Sequence, residues 1–396
     1  MTLPMAEDPT NFPPPVRLGR IGVAVVLVCL LLDASLRFLP PRFIAFRAWE
    51  AVQATSPGHG RFIPNMIYRN PRSYGDLANI ANLPRLRQYR EEVFSIDAAG
   101  YRNRGEVKKP FTGILLLGDS FTAGSGVSDS LTLSEQLQEI SGRRVYNGAP
   151  TSSLWELLQY LQMTRGLVVW QLSERIPLPL PPGTPAPSAP AATKLDWRLE
   201  IGRRAFGGER VEALRRGYLQ LMEIEAYSPL RILFGRAVRS LQDDRIYPNP
   251  YRNWMVSSKL RNGREILFLS TDLESGMDRP TDPGFFVQLR TQLQERGIGL
   301  LILLVPDKYA VYQDLLLAAS PATNRRRFLD AVEQRLAAAS VPVLNMTTHF
   351  RKQAEALLAR DEYLYWLDDS HWNGNGIRAT AQAITGSQAF SECPCQ

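Results

Sequence analysis

The sequence predicts an α/β fold built on a parallel sheet with helices on both faces, and three observations carry that reading. Gly113-Ile114-Leu115-Leu116-Leu117 is an unbroken apolar run closed by Gly118-Asp119-Ser120, the pattern of a strand buried on both sides. Further short apolar runs alternate with helical stretches after it. The strongest strand signal, Ile298 to Val305, arrives late and is itself flanked by helical periods. Strand, helix, strand in repetition is the grammar of a doubly wound sheet.

Taken in order, residues 1–16 are polar and Pro-rich and read as a disordered N-terminus. Ile21 to Leu32 is an apolar run of twelve, preceded by Arg17 and Arg20 and followed by Asp33 and Arg37. Residues 17–39 are expected to form a transmembrane or signal-anchor helix. Twelve residues also match a signal-peptide core, but no small-x-small cleavage site precedes Pro40-Pro41, so the uncleaved anchor is preferred. Arginines flank the run on both sides, so the positive-inside bias does not fix its orientation.

Residues 40–89 read as a linker and entry region, and 90–390 as the main domain. Within it, helices are expected at 131–140 and 154–163, and strands at 144–147 and 167–170. Seven prolines between Ile176 and Thr193 break the pattern. An Arg-rich stretch follows, so 176–265 reads as a basic, mostly helical insertion. The α/β pattern resumes with a helix at 285–296, the strand 298–305, a helix at 328–339, a strand at 341–345 and a closing helix at 376–385. No internal repeat is present.

Composition bounds the chemistry. The chain has 396 residues, 44% hydrophobic and 21% charged, a globular balance that excludes wholesale disorder. Lys plus Arg is 46 against 39 for Asp plus Glu, a net charge of +7, compatible with an anionic partner but not diagnostic of one. Three cysteines, two of them in the last four residues, exclude a disulfide framework. No His/Cys spacing resembles a zinc site, so no metal and no cofactor are expected. Aromatics do not interleave with the basic residues strongly enough for nucleic acid.

Two short segments carry the chemistry. Gly118-Asp119-Ser120-Phe121-Thr122 sits where a buried strand ends, which is where open α/β sheets place their ligands. A serine on that turn presents its hydroxyl, and the following helix N-terminus offers partial positive charge to an oxyanion. Asp368-Asp369-Ser370-His371-Trp372-Asn373 precedes the closing helix. It places one of only three histidines beside two carboxylates, the pairing that a general base needs to fix its tautomer. Of the other two, His59 lies in a loop before the domain, and His349 has no carboxylate within four residues.

Together, the early Gly-Asp-Ser, the late Asp-x-His or Asp-x-x-His and the α/β pattern between them resemble the SGNH, or GDSL-type, hydrolase superfamily, over roughly residues 112–386. The resemblance implies a three-layer, flavodoxin-like parallel sheet, with Ser120 as nucleophile and His371 as base. The superfamily's usual acid maps to Asp368. The Asp-x-His-Trp form of the polysaccharide O-acetylation branch of the AlgX and AlgJ type selects Asp369, which is favoured while Asp368 stays open. Chain order departs from that branch, whose Asp-x-His precedes its serine.

Val305-Pro306-Asp307-Lys308-Tyr309 is similar to a Pro-x-Lys…Tyr segment of the same branch and offers Lys308 to an anionic sugar. Phe94 to Asn103 resembles the lead-in to the serine block of exported members, a structural role. Two superfamily oxyanion donors are not matched cleanly. Gly148, with Asn147 beside it, is the best amide candidate. Where an Asn is usual at the end of the third strand, either Gln171 or Arg175 replaces it, or the site is a slow or specialised one.

The resemblance thus implies serine-dependent acetyl transfer or ester hydrolysis, with O-acetylation or de-acetylation of an extracytoplasmic polysaccharide as the favoured activity. The expected setting is a single-pass protein of a bacterial inner membrane, with the catalytic domain periplasmic and polysaccharide-synthesis components as partners. The alternatives are a membrane-anchored esterase or lipase, and a non-catalytic carbohydrate-binding assembly component of the same fold.

Overall fold

The computed structural model describes residues 15–39, 48–53, 60–81, 83–150, 153–174, 254–273, 282–318 and 328–393, with single positions between 210 and 237. Two strands, β1 (Ile67–Ser73) and β2 (Arg90–Ser95), form an antiparallel pair ahead of the main sheet. The sheet itself comprises β3 (Gly113–Leu117), β4 (Val145–Asn147), β5 (Gly166–Ser173), β8 (Ile298–Val305) and β9 (Val343–Asn345). Between β5 and β8 in the chain, β6 (Met255–Lys259) and β7 (Glu265–Leu269) make a second antiparallel hairpin.

The strand order is β4-β3-β5-β8-β9, and every neighbouring pair is parallel. The chain therefore starts inside the sheet, steps outward to β4 and returns past β3 to β5. The order reverses between β3 and β5, so a crevice opens beyond their carboxyl ends.

Alternation along the strands supplies both faces. Ile114 and Leu116 of β3, Leu167 and Val169 of β5, and Leu301 and Leu303 of β8 belong to one buried cluster, with Leu133 and Leu137, Phe350 and Ile377 from the helices that cover that face. Leu115 and Leu117, Val168, and Leu300, Ile302 and Leu304 point the other way, against Leu157, Phe286, Leu289 and Val332. The covering helices are Leu133–Ser141, Thr347–Leu358 and Gly374–Thr385 on one side, and Leu154–Leu161, Gly284–Gln294 and Phe328–Ala338 on the other. This is the three-layer arrangement that the central apolar runs predict.

Two expectations are corrected. Residues 67–73, read as part of a linker and entry region, form β1, and the described chain from 67 to 95 packs on the domain through the hairpin and the helix Asp76–Ile80. The described end of the expected helical insertion is the β6–β7 hairpin, turned at Asn262-Gly263 with Gly263 at φ 82°. Asn-Gly is the dipeptide that tight hairpin turns demand. The rest of 176–253 lies outside the described residues, single positions aside.

The transmembrane helix expected at residues 17–39 is not shown. Pro15–Leu36 is a helix whose apolar side chains from Ile21 to Leu32 are exposed, but among the described residues no helix is long and apolar enough to cross a membrane. The uninterrupted apolar run is twelve residues, about 18 Å of helix against a hydrocarbon core of about 30 Å. Asp33 and Arg37 close it as an ion pair at 2.8 Å. At the opposite end of the chain, Cys393 is disulfide-bonded, whereas Cys29 is free.

Candidate active site

The site is built at the carboxyl end of β3. Asp119 caps the short helix Ser120–Ala123, its Oδ1 accepting from the Phe121 amide at 2.8 Å. The turn is pressed against β5. A Cβ on Gly118 would stand 2.5 Å from both Gln171 Oε1 and Thr122 Oγ1, so only glycine fits. Gln171 Oε1 accepts from the Asp119 amide at 3.2 Å and from the Thr122 hydroxyl at 3.0 Å. The turn thereby holds Ser120 half-buried at the switch point of the sheet.

The second half comes from the loop before Gly374–Thr385. His371 Nε2 lies 2.8 Å from Ser120 Oγ, and His371 Nδ1 lies 2.7 Å from Asp369 Oδ1. The same carboxylate oxygen accepts from the His371 amide at 3.0 Å. With Nδ1 protonated towards Asp369, the Nε2 lone pair faces the serine hydroxyl, the arrangement of a nucleophile, a general base and an orienting acid. Trp372 anchors the loop to the nucleophile helix. It is fully buried, and its Nε1 donates to the Phe121 carbonyl at 3.2 Å.

Of the two open acids, the structure joins Asp369 to His371 and turns Asp368 away. Asp368 Oδ2 accepts from the Gly75 and Gln88 amides at 2.7 and 2.8 Å, and Oδ1 from Arg90 at 3.1 Å. Burial raises the Asp368 carboxyl above its ordinary value, against the lowering pull of Arg90. Arg90 donates its other nitrogen to Asp369 Oδ2 at 2.8 Å and its Nε to the Gly126 carbonyl at 2.9 Å, with its guanidinium 4.2 Å above the Trp366 ring. One guanidinium thus ties both acids to the loop behind the nucleophile. Arg102, also buried, closes that loop from the other side, through Val127 O at 2.7 Å, Gly124 O and Asp129.

The oxyanion and substrate candidates fare differently. The Gly148 amide donates to Leu116 O at 2.8 Å, extending the sheet, so it is committed away from the serine. Asn147 is buried, with Nδ2 on Thr122 O at 3.0 Å and Oδ1 on the Ala149 amide at 3.1 Å. Gln171 braces the nucleophile turn through Oε1, while its Nε2 is buried without a hydrogen-bond partner. Arg175 lies outside the described residues, as does His59. His349 is exposed on the helix Thr347–Leu358, 3.1 Å from Gln353.

Lys308 cannot meet a sugar. Its side chain is fully buried, and Nζ donates to Leu267 O, Leu367 O and Asp369 O at 2.7, 2.9 and 3.0 Å. Burial lowers its pKa to about 7 against the pull of Asp368, Asp369, Asp76 and Asp272. The strand end predicts a lysine facing the crevice. Instead, β7 and the acid loop fold over it and supply three carbonyls.

The site also includes residues that sequence reasoning missed. Asp76 and Arg90 come from the segment read as linker or from the first residue after it. Asp76, Asp369 and His371 offer three ligand atoms within 4.8 Å of one another. Asp76 Oδ1 and Oδ2, Asp369 Oδ1 and His371 Nδ1 are engaged in hydrogen bonds within this cluster.

Residues 272–389 match the family model described as SGNH hydrolase-like domain, acetyltransferase AlgX. The match spans β8, β9, Asp369 and His371, and stops short of Ser120. No curated protein matches the chain. One solved structure, aligned over 72% of this chain and 98% of its own, shares 14% identity at a TM-score of 0.31 and carries no argument.

Proposed function

We propose that the protein transfers an acetyl group through Ser120, most favourably onto or off a polysaccharide hydroxyl outside the cytoplasm. The observation that carries this reading is the unbroken chain Ser120 Oγ, His371 Nε2, His371 Nδ1, Asp369 Oδ1, with links of 2.8 and 2.7 Å. As an acyl donor enters, Ser120 Oγ attacks the ester carbonyl and its proton passes to His371 Nε2. The imidazolium is held by Asp369 and returns the proton to the leaving alcohol. The acyl-serine is then opened by a sugar hydroxyl or by water, deprotonated by the same imidazole, which returns the proton to Ser120 Oγ as its acyl bond breaks.

Ser120 is the first residue of its helix, so its amide stands outside the intrahelical ladder and is available to the developing oxyanion. With Gly148 and Asn147 engaged elsewhere, that amide works with fewer helpers than an esterase commonly has. A missing donor costs about 2.7–4 kcal/mol of transition-state stabilisation, which slows transfer and hydrolysis alike. The acetyltransferase description of the matching family model supports acetyl as the acyl group. The membrane-proximal, periplasmic location expected from residues 17–39, and a partner in polysaccharide synthesis, belong to the proposal.

The test is intact-protein mass of the full chain after mixing with an activated acetyl ester, native against Ser120→Ala. A serine-dependent adduct of one acetyl group is expected. Its loss onto added oligosaccharide identifies a transferase, and its loss to water an esterase. No adduct in folded protein overturns the mechanism and selects the carbohydrate-binding reading.

A further inference from the structure

Asp76 opens the short helix Asp76–Ile80, far from His371 in sequence, yet both its carboxylate oxygens are spent on the residue next to that base. Oδ1 accepts from the Ser370 amide at 2.8 Å, and Oδ2 from the Ser370 hydroxyl at 2.7 Å. Asp76 Oδ2 is itself 3.7 Å from His371 Nδ1, and Ser370 Oγ is 3.3 Å from the same nitrogen. A hydroxyl has one proton, and here it goes to Asp76. The oxygen lone pairs of Ser370 are left facing Nδ1–H, which is shared between Asp369 Oδ1 at 2.7 Å and Ser370 Oγ at 3.3 Å.

We propose that Asp76 is a second positioning acid for His371, acting across 3.7 Å and through the Ser370 hydroxyl. The proposal rests on the Ser120–His371 reading above. When the Ser120 proton moves to Nε2, the positive charge appears between two carboxylates, Asp369 from its own loop and Asp76 from the N-terminal segment. Neither carboxylate takes the proton, and Ser370 keeps its own. Ser120 and the Phe121 ring face the imidazole from the nucleophile helix. Arg90 from β2 and Lys308 stand behind Asp369, on its Oδ2 and its carbonyl. Arg90 draws on the charge of Asp369 directly, and Asp76 adds a second negative charge at the imidazole.

A carboxylate this close to an imidazole favours its charged form, typically by about one pH unit or more. The experiment uses the full-length chain with labelled histidine. The His371 signal is identified among three histidines by its absence in His371→Gln, and its titration is followed by NMR. Acylation of Ser120 by p-nitrophenyl acetate is measured over the same pH range. Asp76→Asn is expected to lower the titration midpoint of His371 and the lower limb of the rate profile by about one pH unit. Asp76→Glu is expected to restore both. Ser370→Ala, which removes the relay but leaves the carboxylate, is expected to produce a smaller shift of the same sign.

An Asp76→Asn protein with a reduced rate and an unmoved midpoint has lost structure only, and overturns the proposal. If Asp76→Asn fails to fold, an unmoved midpoint in Ser370→Ala overturns it. A midpoint that shifts as expected in a protein that never acylates at Ser120 upholds Asp76 and defeats the acyl-transfer reading instead.

Discussion

The ammonium of Lys308 lies 3.0 Å from the carbonyl oxygen of Asp369, so a fully buried cation stands directly behind the acid that orients His371. The same nitrogen binds Leu367 O and Leu267 O. One side chain therefore pins the acid loop to β7, and the charge that does so is the least comfortable one in the site.

That discomfort has a pH signature. Lys308 gives up its proton at about 7 when folded, against 10.5 for an ordinary lysine. Between these values the unfolded chain binds more protons, so stability should rise with pH across the interval relative to Lys308→Met, and be flat below it. Urea unfolding of both proteins at successive pH values measures the difference. A difference that does not vary with pH refutes it.

Arg90 serves two carboxylates at once, and its side chain and theirs are almost wholly buried. Removing one partner of a buried pair leaves uncompensated charge, at a cost of about 3–5 kcal/mol. Arg90→Ala should lose about that much by chemical denaturation. Arg90→Lys should recover only part of it, because an ammonium cannot reproduce the fork that reaches Asp368, Asp369 and Gly126 together.

The two neighbouring aspartates should separate cleanly by kinetics. Asp369→Asn presents the wrong tautomer of His371 to Ser120 and should slow acylation by up to about 10⁴-fold, less where Asp76 compensates. Asp368→Asn leaves the 2.7 Å link between Asp369 and His371 in place. It should act chiefly on thermal stability, with the surviving folded fraction acylating at near the native rate. Equal rate losses in both would mean that the loop does not hold the geometry described.

Trp372→Phe keeps the ring packing on Phe121 and Phe350 but removes the donor to the Phe121 carbonyl. The carbonyl keeps the Gly124 amide at 3.2 Å, so the loss is that of a single hydrogen bond, about 0.5–1.5 kcal/mol, and a fall in the thermal midpoint measures it.

The layers of the fold were legible because β3, β5 and β8 are buried on both faces and read as continuous apolar runs. β1 was not: Ile67–Ser73 contains Pro71 and buries only Tyr68 and Ser73, so it lacks a strand period and owes its form to β2. The β6–β7 hairpin did carry a signal, Asn262-Gly263, submerged in a stretch dominated by arginine and proline. Helix Thr347–Leu358 keeps Phe350, Ala354 and Leu358 at helical spacing on its buried side, a short period easily read as loop.

The site divides in the same way. Ser120 and His371 stand at element ends beside distinctive neighbours, so local sequence exposes them. The choice between Asp368 and Asp369 depends on which carboxylate Gly75, Gln88 and Arg90 claim, and that is a matter of distant chain. Lys308 looks like a surface residue until β7 and the acid loop enclose it. Gly148 is the best amide candidate for the oxyanion in the sequence, but its amide is taken by Leu116 O, a hydrogen bond of register rather than of composition.

The bonds from Gly75 and Asp76 to Asp368 and Ser370 join positions 293 and 294 residues apart. A nascent chain carries Ser120 well before the base and its orienting acid, and these are seated by residues made before the serine. Until synthesis has run past Trp372 and the two ends have met, the serine has no partner to ionise it. Any fragment trimmed to the sheet alone, lacking residues before β3, begins its life without the scaffold that seats its acid.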